Sequence, residues 1–253
     1  MKTVSRILKF VGSTGLVVSL VVVSSVPTHA VTNTNLLATC NRISSLSDTS
    51  DVAIKTKVTS MNADFTTRLT NIADRTTTID PKVDEARAKA TAAFDAKVTA
   101  LQEKTGLTAI QKAAIKTYAV NMNAAEKTRE TAVDAARTTY RTALTSVVTT
   151  HQTSLTNATT TYQTSVTNAF ATATAHCADS TAISNLKTSV KAARDIFKST
   201  RTDAKVTTDI KALMATRDAA IKAADANFTK ATATYTATLS AVLDTTSSTT
   251  NAK

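Results

Sequence analysis

The chain is 253 residues long, carries a net charge of +11, and is 42% hydrophobic and 4% aromatic, with three Gly, two Pro, two Cys and no Trp. So few breakers exclude a sandwich, a barrel or an α/β sheet of this length, whose many turns call on Gly, Pro and Asn-Gly pairs. The Gly-rich phosphate loops of nucleotide-binding folds go with them, which leaves an all-α chain of few, long helices.

Segment 1–30 opens with Lys2, Arg6 and Lys9, continues through a mostly apolar stretch from Phe10 to Val26, and ends on Pro27-Thr28-His29-Ala30. That is the three-part pattern of a secretory signal peptide. The apolar stretch is short for a membrane span and is interrupted between Gly12 and Gly15, so cleavage is favoured over retention as an anchor. No second such run follows, so the cleaved chain is expected to have no transmembrane span. The expected location is secreted, or on the extracellular face of the cell envelope.

Residues 31–42 read as an N-terminal segment. Cys40 follows Leu36-Leu37-Ala38-Thr39, similar to a bacterial lipobox, but Thr39 and the distance from the apolar stretch argue against lipidation. An even cysteine count in an exported chain instead predicts a disulfide between Cys40 and Cys177.

From 43 to 244 the pattern predicts an elongated helical bundle with arms at about 43–105, 108–176 and 180–243. In the first arm Ile43, Ile54 and Phe65 fall eleven residues apart. Asp80-Pro81 reads as an N-cap followed by proline at the first helical position, so a helix restarts there, kinked or broken from its predecessor. Gly106 reads as the glycine that closes this arm, and Thr108 to Gln111 as a capping box that opens the next.

The second arm holds the strongest signal, an eleven-residue (hendecad) repeat. Met122, Val133, Leu144, Leu155 and Val166 stand at its fifth position, Ala125, Ala136, Val147, Ala158 and Ala169 at its eighth, and Thr at its eleventh. This spacing puts the apolar side chains on one helical face, in a stripe that runs nearly straight or slightly right-handed. Cys177 to Thr181 reads as a turn and cap. In the third arm Val206, Arg217, Phe228 and Leu239 share a phase, which slips between Phe197 and Val206, where Thr200 to Asp203 loosens or bends the helix. Residues 245–253 are expected to be a disordered tail.

Cys40 to Gly106, Gly106 to Cys177 and Cys177 to Leu243 are nearly equal in length. Short turns between equal arms give an up-down-up bundle, each arm on the order of 100 Å long. Cys40 and Cys177 then lie at the same end, so the disulfide and the topology support each other.

Little in the sequence points to catalysis. His151, His176 and the two cysteines lack zinc-ligand spacing, and His151 takes the tyrosine position of the repeat as a packing residue. Serines and threonines abound without an orienting base on a rigid turn. Asp84-Glu85 and Glu126/Glu130 read as solvated charges, with Glu85 and Lys89 a favourable i, i+4 pair. No cofactor, metal or catalytic residue is expected, and the protein reads as not an enzyme. The positive excess is interleaved with acids, and Thr142 to Ala178 carries no charge. Weak binding to anionic surfaces is therefore expected, without specific nucleic-acid recognition.

The signal peptide, the repeat from Tyr118 to Thr172 and the Gly106 and Cys177 turns resemble the secreted, Ala/Thr-rich, coiled-coil-type proteins of Patescibacteria, Saccharibacteria above all. The resemblance implies export to the cell surface and transfers no functional residue. The expected function is a secreted or cell-surface helical rod with a structural, spacer or adhesive role, its partner an unknown protein or envelope component. The alternative is a peripheral amphipathic protein that binds lipid or an anionic polymer.

Overall fold

The computed structural model describes residues 33–200 and 203–248. Residues 1–32, which include the segment read as a signal peptide, and 249–253 lie outside them. The described chain is helical with short turns and no strand: α1 (Asn33–Asp74), a π-helical turn (Arg75–Ile79), α2 (Asp80–Gln102), α3 (Ala109–Ala175), α4 (Ala182–Thr200) and α5 (Asp203–Ser248). The all-α bundle expected from the scarcity of breakers is present. Its first helix already includes residues assigned above to an N-terminal segment, and its last reaches into the residues read as a tail. Neither stretch contains a Gly or Pro to stop it.

In so Thr-rich a chain, several hydroxyls turn inward on the helix backbone. Thr59, Thr66, Thr131, Thr153 and Thr216 each donate to the carbonyl four residues back, at 2.8–3.1 Å. This bond satisfies the hydroxyl locally at a small cost to the helix, which it tends to bend, so packing and not threonine propensity sustains these helices.

At Asp80-Pro81 an α-helix does begin with proline in its first turn, but the structure corrects the expected Asp80 cap. Ile79 and Asp80 both keep right-handed helical dihedrals, no side chain caps the position, and the Asp80 N–H reaches back to the Arg75 carbonyl. Pro81 has no N–H to offer, and its ring crowds the carbonyl four residues earlier. Widening one turn relieves that crowding without ending the helix. The Asp80 carboxylate turns to Arg141 instead, at 2.7 and 3.0 Å.

The turn after α2 is only partly as expected. The helix ends at Gln102, and Glu103 and Lys104 close it with bonds to the Thr99 and Leu101 carbonyls. Gly106 therefore stands beyond the closing position, at φ +91°. The capping box is present: Gln111 N–H donates to Thr108 Oγ1 at 3.2 Å, and Thr108 N–H to Gln111 Oε1 at 2.9 Å.

The chain divides into two compact units. Among the described residues, the first comprises 33–69 with 146–210, the second 70–145 with 211–248. In the first, partner numbers fall in α3 as they rise in α1: Cys40 meets Cys177, Asp51 meets Gln163 and Phe65 meets His151. Those two segments are antiparallel, and α4 returns along α3 with Phe197 against Tyr162, ring centroids 5.6 Å apart. Ile43, Ile54 and Phe65 are all buried, as are Leu155, Val166, Leu186, Val190 and Phe197. A fully buried side chain of this size contributes about 1.5–3 kcal/mol.

The second unit is antiparallel in the same way. Asp80 pairs with Arg141, Arg87 with Asp134 and Asp95 with Asn123 between α2 and α3. Arg129 reaches Asp225, and Arg217 lies over Tyr140, between α3 and α5. Its interior is sparser: among the described residues only Ile115, Ala119, Val133, Leu144 and Ala224 are buried apolar groups there, and α2 buries no residue.

Candidate functional site

The most distinctive chemistry of the chain is the junction of α1 with the turn after α3. That turn is set by bonds from the Cys177 N–H to the Thr174 carbonyl, from Asp179 to His176 and from Ala182 to Asp179. It presents Cys177 to Cys40, and the two form a disulfide with Cα atoms 5.2 Å apart, within the span the bond requires. Both cysteines are half-buried. His176 beside it is exposed and lies 3.4 Å from Asp179. Among the described residues no group of three or more His, Cys, Asp or Glu side chains could hold a metal.

His151, read as a packing residue, is buried, with its ring edge-on to Phe65 at 5.6 Å, while Arg68 covers that phenyl at 5.5 Å. Two other polar side chains share the interior of the first unit. Thr159 donates to the Leu155 carbonyl at 2.7 Å. Ser50 Oγ is buried without a hydrogen-bond partner among the described residues. An open groove of about 200 Å³ runs between α3 and α4, lined by Asn157, Thr161, Ser165, Ile196 and Thr200 above the buried Tyr162–Phe197 pair. Burial raises the Tyr162 hydroxyl pKa, opposed by the nearby Arg194.

The carboxylates divide into two kinds. Asp84 and Glu85 are surface charges, Glu85 meeting Lys89 at 2.6 Å as the i, i+4 spacing predicts. Glu130 is a correction: its side chain is only 12% exposed and lies 3.4 Å from Arg87 Nε on α2. It belongs to an interhelical network. The Arg87 fork spans Asp134, with Nη1 2.6 Å from Oδ2 and Nη2 3.0 Å from Oδ1. The hydrogen bond from Arg87 holds the Asp134 carboxyl below its ordinary value and raises Arg87 in turn. A second cluster joins Arg129, Glu126 and Asp225, with the Phe228 ring under the Arg129 guanidinium at 4.9 Å. These ion pairs tie α2 to α3 and α3 to α5.

No helix among the described residues is long and apolar enough to cross a membrane. No family model matches the chain, and no curated protein or solved structure matches it either.

Proposed function

We propose that the protein is a non-enzymatic helical spacer or adhesive element that works outside the cytoplasm, at the cell surface or released from it. The observation that carries this reading is the Cys40–Cys177 disulfide, a bond that persists in oxidising compartments and is rare in the cytosol. The signal-like segment 1–30 supports the same location, and the interhelical ion pairs of the second unit suit a structural role better than a catalytic one.

Labelling intact cells with a membrane-impermeant amine reagent tests the location. The protein is expected among the labelled or released fractions, and its confinement to the cytosol would overturn the proposal. Circular dichroism with and without anionic vesicles tests the lipid-binding alternative. A surface spacer is fully helical in buffer alone, whereas helix that forms only on vesicles would favour the alternative.

A further inference from the structure

We propose that the Cys40–Cys177 disulfide is a redox latch on the length of the chain, which keeps residues 41–176 out of the path of a pulling force until the bond is reduced. The inference deepens the spacer reading above and rests on it. It starts from covalent connectivity. A tension that enters ahead of Cys40 and leaves through α5 crosses the disulfide into Cys177, because that bond replaces 137 residues of chain with a Cα–Cα step of 5.2 Å. Most of α1 and all of α2 and α3 lie inside the bypassed loop. The tension is then carried by α4 and α5 alone.

Two further features make this more than a closed loop. The first is where the strain falls. α4 ends at Thr200 and α5 begins at Asp203, and α4 is held in the first unit by Leu186, Val190 and Phe197. Once those contacts yield, the covalent path still bypasses residues 41–176, so the loop carries no chain tension while the disulfide holds. The second is that the sulfur–sulfur bond itself lies in the loaded path, and its two cysteines are only half-buried, beside an exposed turn, rather than sealed in the interior.

The reductant is a protein or small-molecule dithiol. Its thiolate attacks one sulfur of the pair and forms a mixed disulfide, releasing the other cysteine as a thiolate that takes up a proton. The second thiol of the reductant, deprotonated in turn, displaces the remaining cysteine. Two electrons pass from the dithiol, which leaves as a disulfide, to Cys40 and Cys177, which end as two thiols. Tension pulls along the bond being broken, so reduction quickens under load and releases the hidden length at once.

Single-molecule force spectroscopy on the full chain tests this, with one handle ahead of Cys40 and the other beyond α5. Without reductant the oxidised protein should stop short of its full contour length. Adding dithiothreitol should produce single steps of roughly 450–490 Å in contour length, from 3.3–3.6 Å per extended residue, at a frequency that rises with force. The C40A/C177A double variant should reach the full contour with no reductant, and its extended length does not depend on whether it folds. Full extension of the oxidised protein without reductant, or no step after dithiothreitol under load, would overturn the latch. Positive steps combined with cytosolic confinement in the labelling experiment would overturn the spacer role and leave the latch standing.

Discussion

Arg87 of α2 grips Asp134 of α3 through two parallel hydrogen bonds, forty-seven residues away in sequence, and Glu130 closes on the same guanidinium. A fork-to-fork pair of this kind fixes both distance and orientation, so it sets the register of the two helices where few apolar groups are available to do so.

This pair gives the second unit an acid sensitivity. The Arg87 bond lowers the Asp134 pKa below the ordinary 3.8. A carboxyl with a depressed folded-state pKa contributes stability above its unfolded value and loses it as pH falls through the folded one. Denaturant melts between pH 5 and pH 2 should therefore show the wild type weakening below about pH 4, with D134N weaker at pH 7 by about 1 kcal/mol and less dependent on acid. Parallel pH profiles for the two proteins would refute the assignment.

Removing the disulfide should cost much more. The chain-entropy model gives about 5 kcal/mol for a loop of this length, less any native strain. C40S/C177S should melt well below the oxidised wild type, and dithiothreitol should bring the wild type down to the variant. Non-reducing peptide mapping of the native protein supplies the control: a single Cys40–Cys177 peptide is expected, and free thiols or a Cys40–Cys40 dimer would contradict it.

Gly106 isolates a purely conformational effect. It sits at φ +91°, and a Cβ placed there would meet nothing within 4 Å. Gly106→Ala should therefore destabilise by about 1–2 kcal/mol from left-handed backbone strain alone, and Gly106→Asn by less. Equal losses in the two variants would show that some contact, and not φ, decides the position.

Ser50 offers the opposite sign. Its hydroxyl is buried without a partner among the described residues, and an unsatisfied group of this kind costs about 1–3 kcal/mol. Ala also has the better helix propensity. Ser50→Ala should raise the melting temperature, and a lower value would mean that the hydroxyl is satisfied in solution.

What could be read in advance was what depends on local spacing or on helix length. The Thr108–Gln111 box needs only four residues to declare itself. The cysteine pairing followed from nearly equal arms on either side of Gly106. Asp80-Pro81 misled because both residues are helix starters by preference, and nothing nearby in sequence shows that Arg141 claims the carboxylate. Glu130 reads in sequence as a surface charge for the same reason: its partner lies on another helix. The division into two units was also invisible, since Leu69–Thr70, Thr145–Ser146 and Ile210–Lys211 all fall inside uninterrupted helices, without a Gly or Pro to mark them.

The contrast between an apolar interior in the first unit and ion-paired contacts in the second has a calorimetric consequence. Exposing apolar surface raises the heat capacity, and exposing polar surface lowers it. Residue for residue, the first unit should unfold with the larger heat-capacity increment and a sharply domed stability curve, softening on cooling as well as on heating. The second should follow a flatter curve. Chilling then tells against the unit that holds the disulfide, while the unit built on arginine and aspartate keeps its stability nearly unchanged across the same interval.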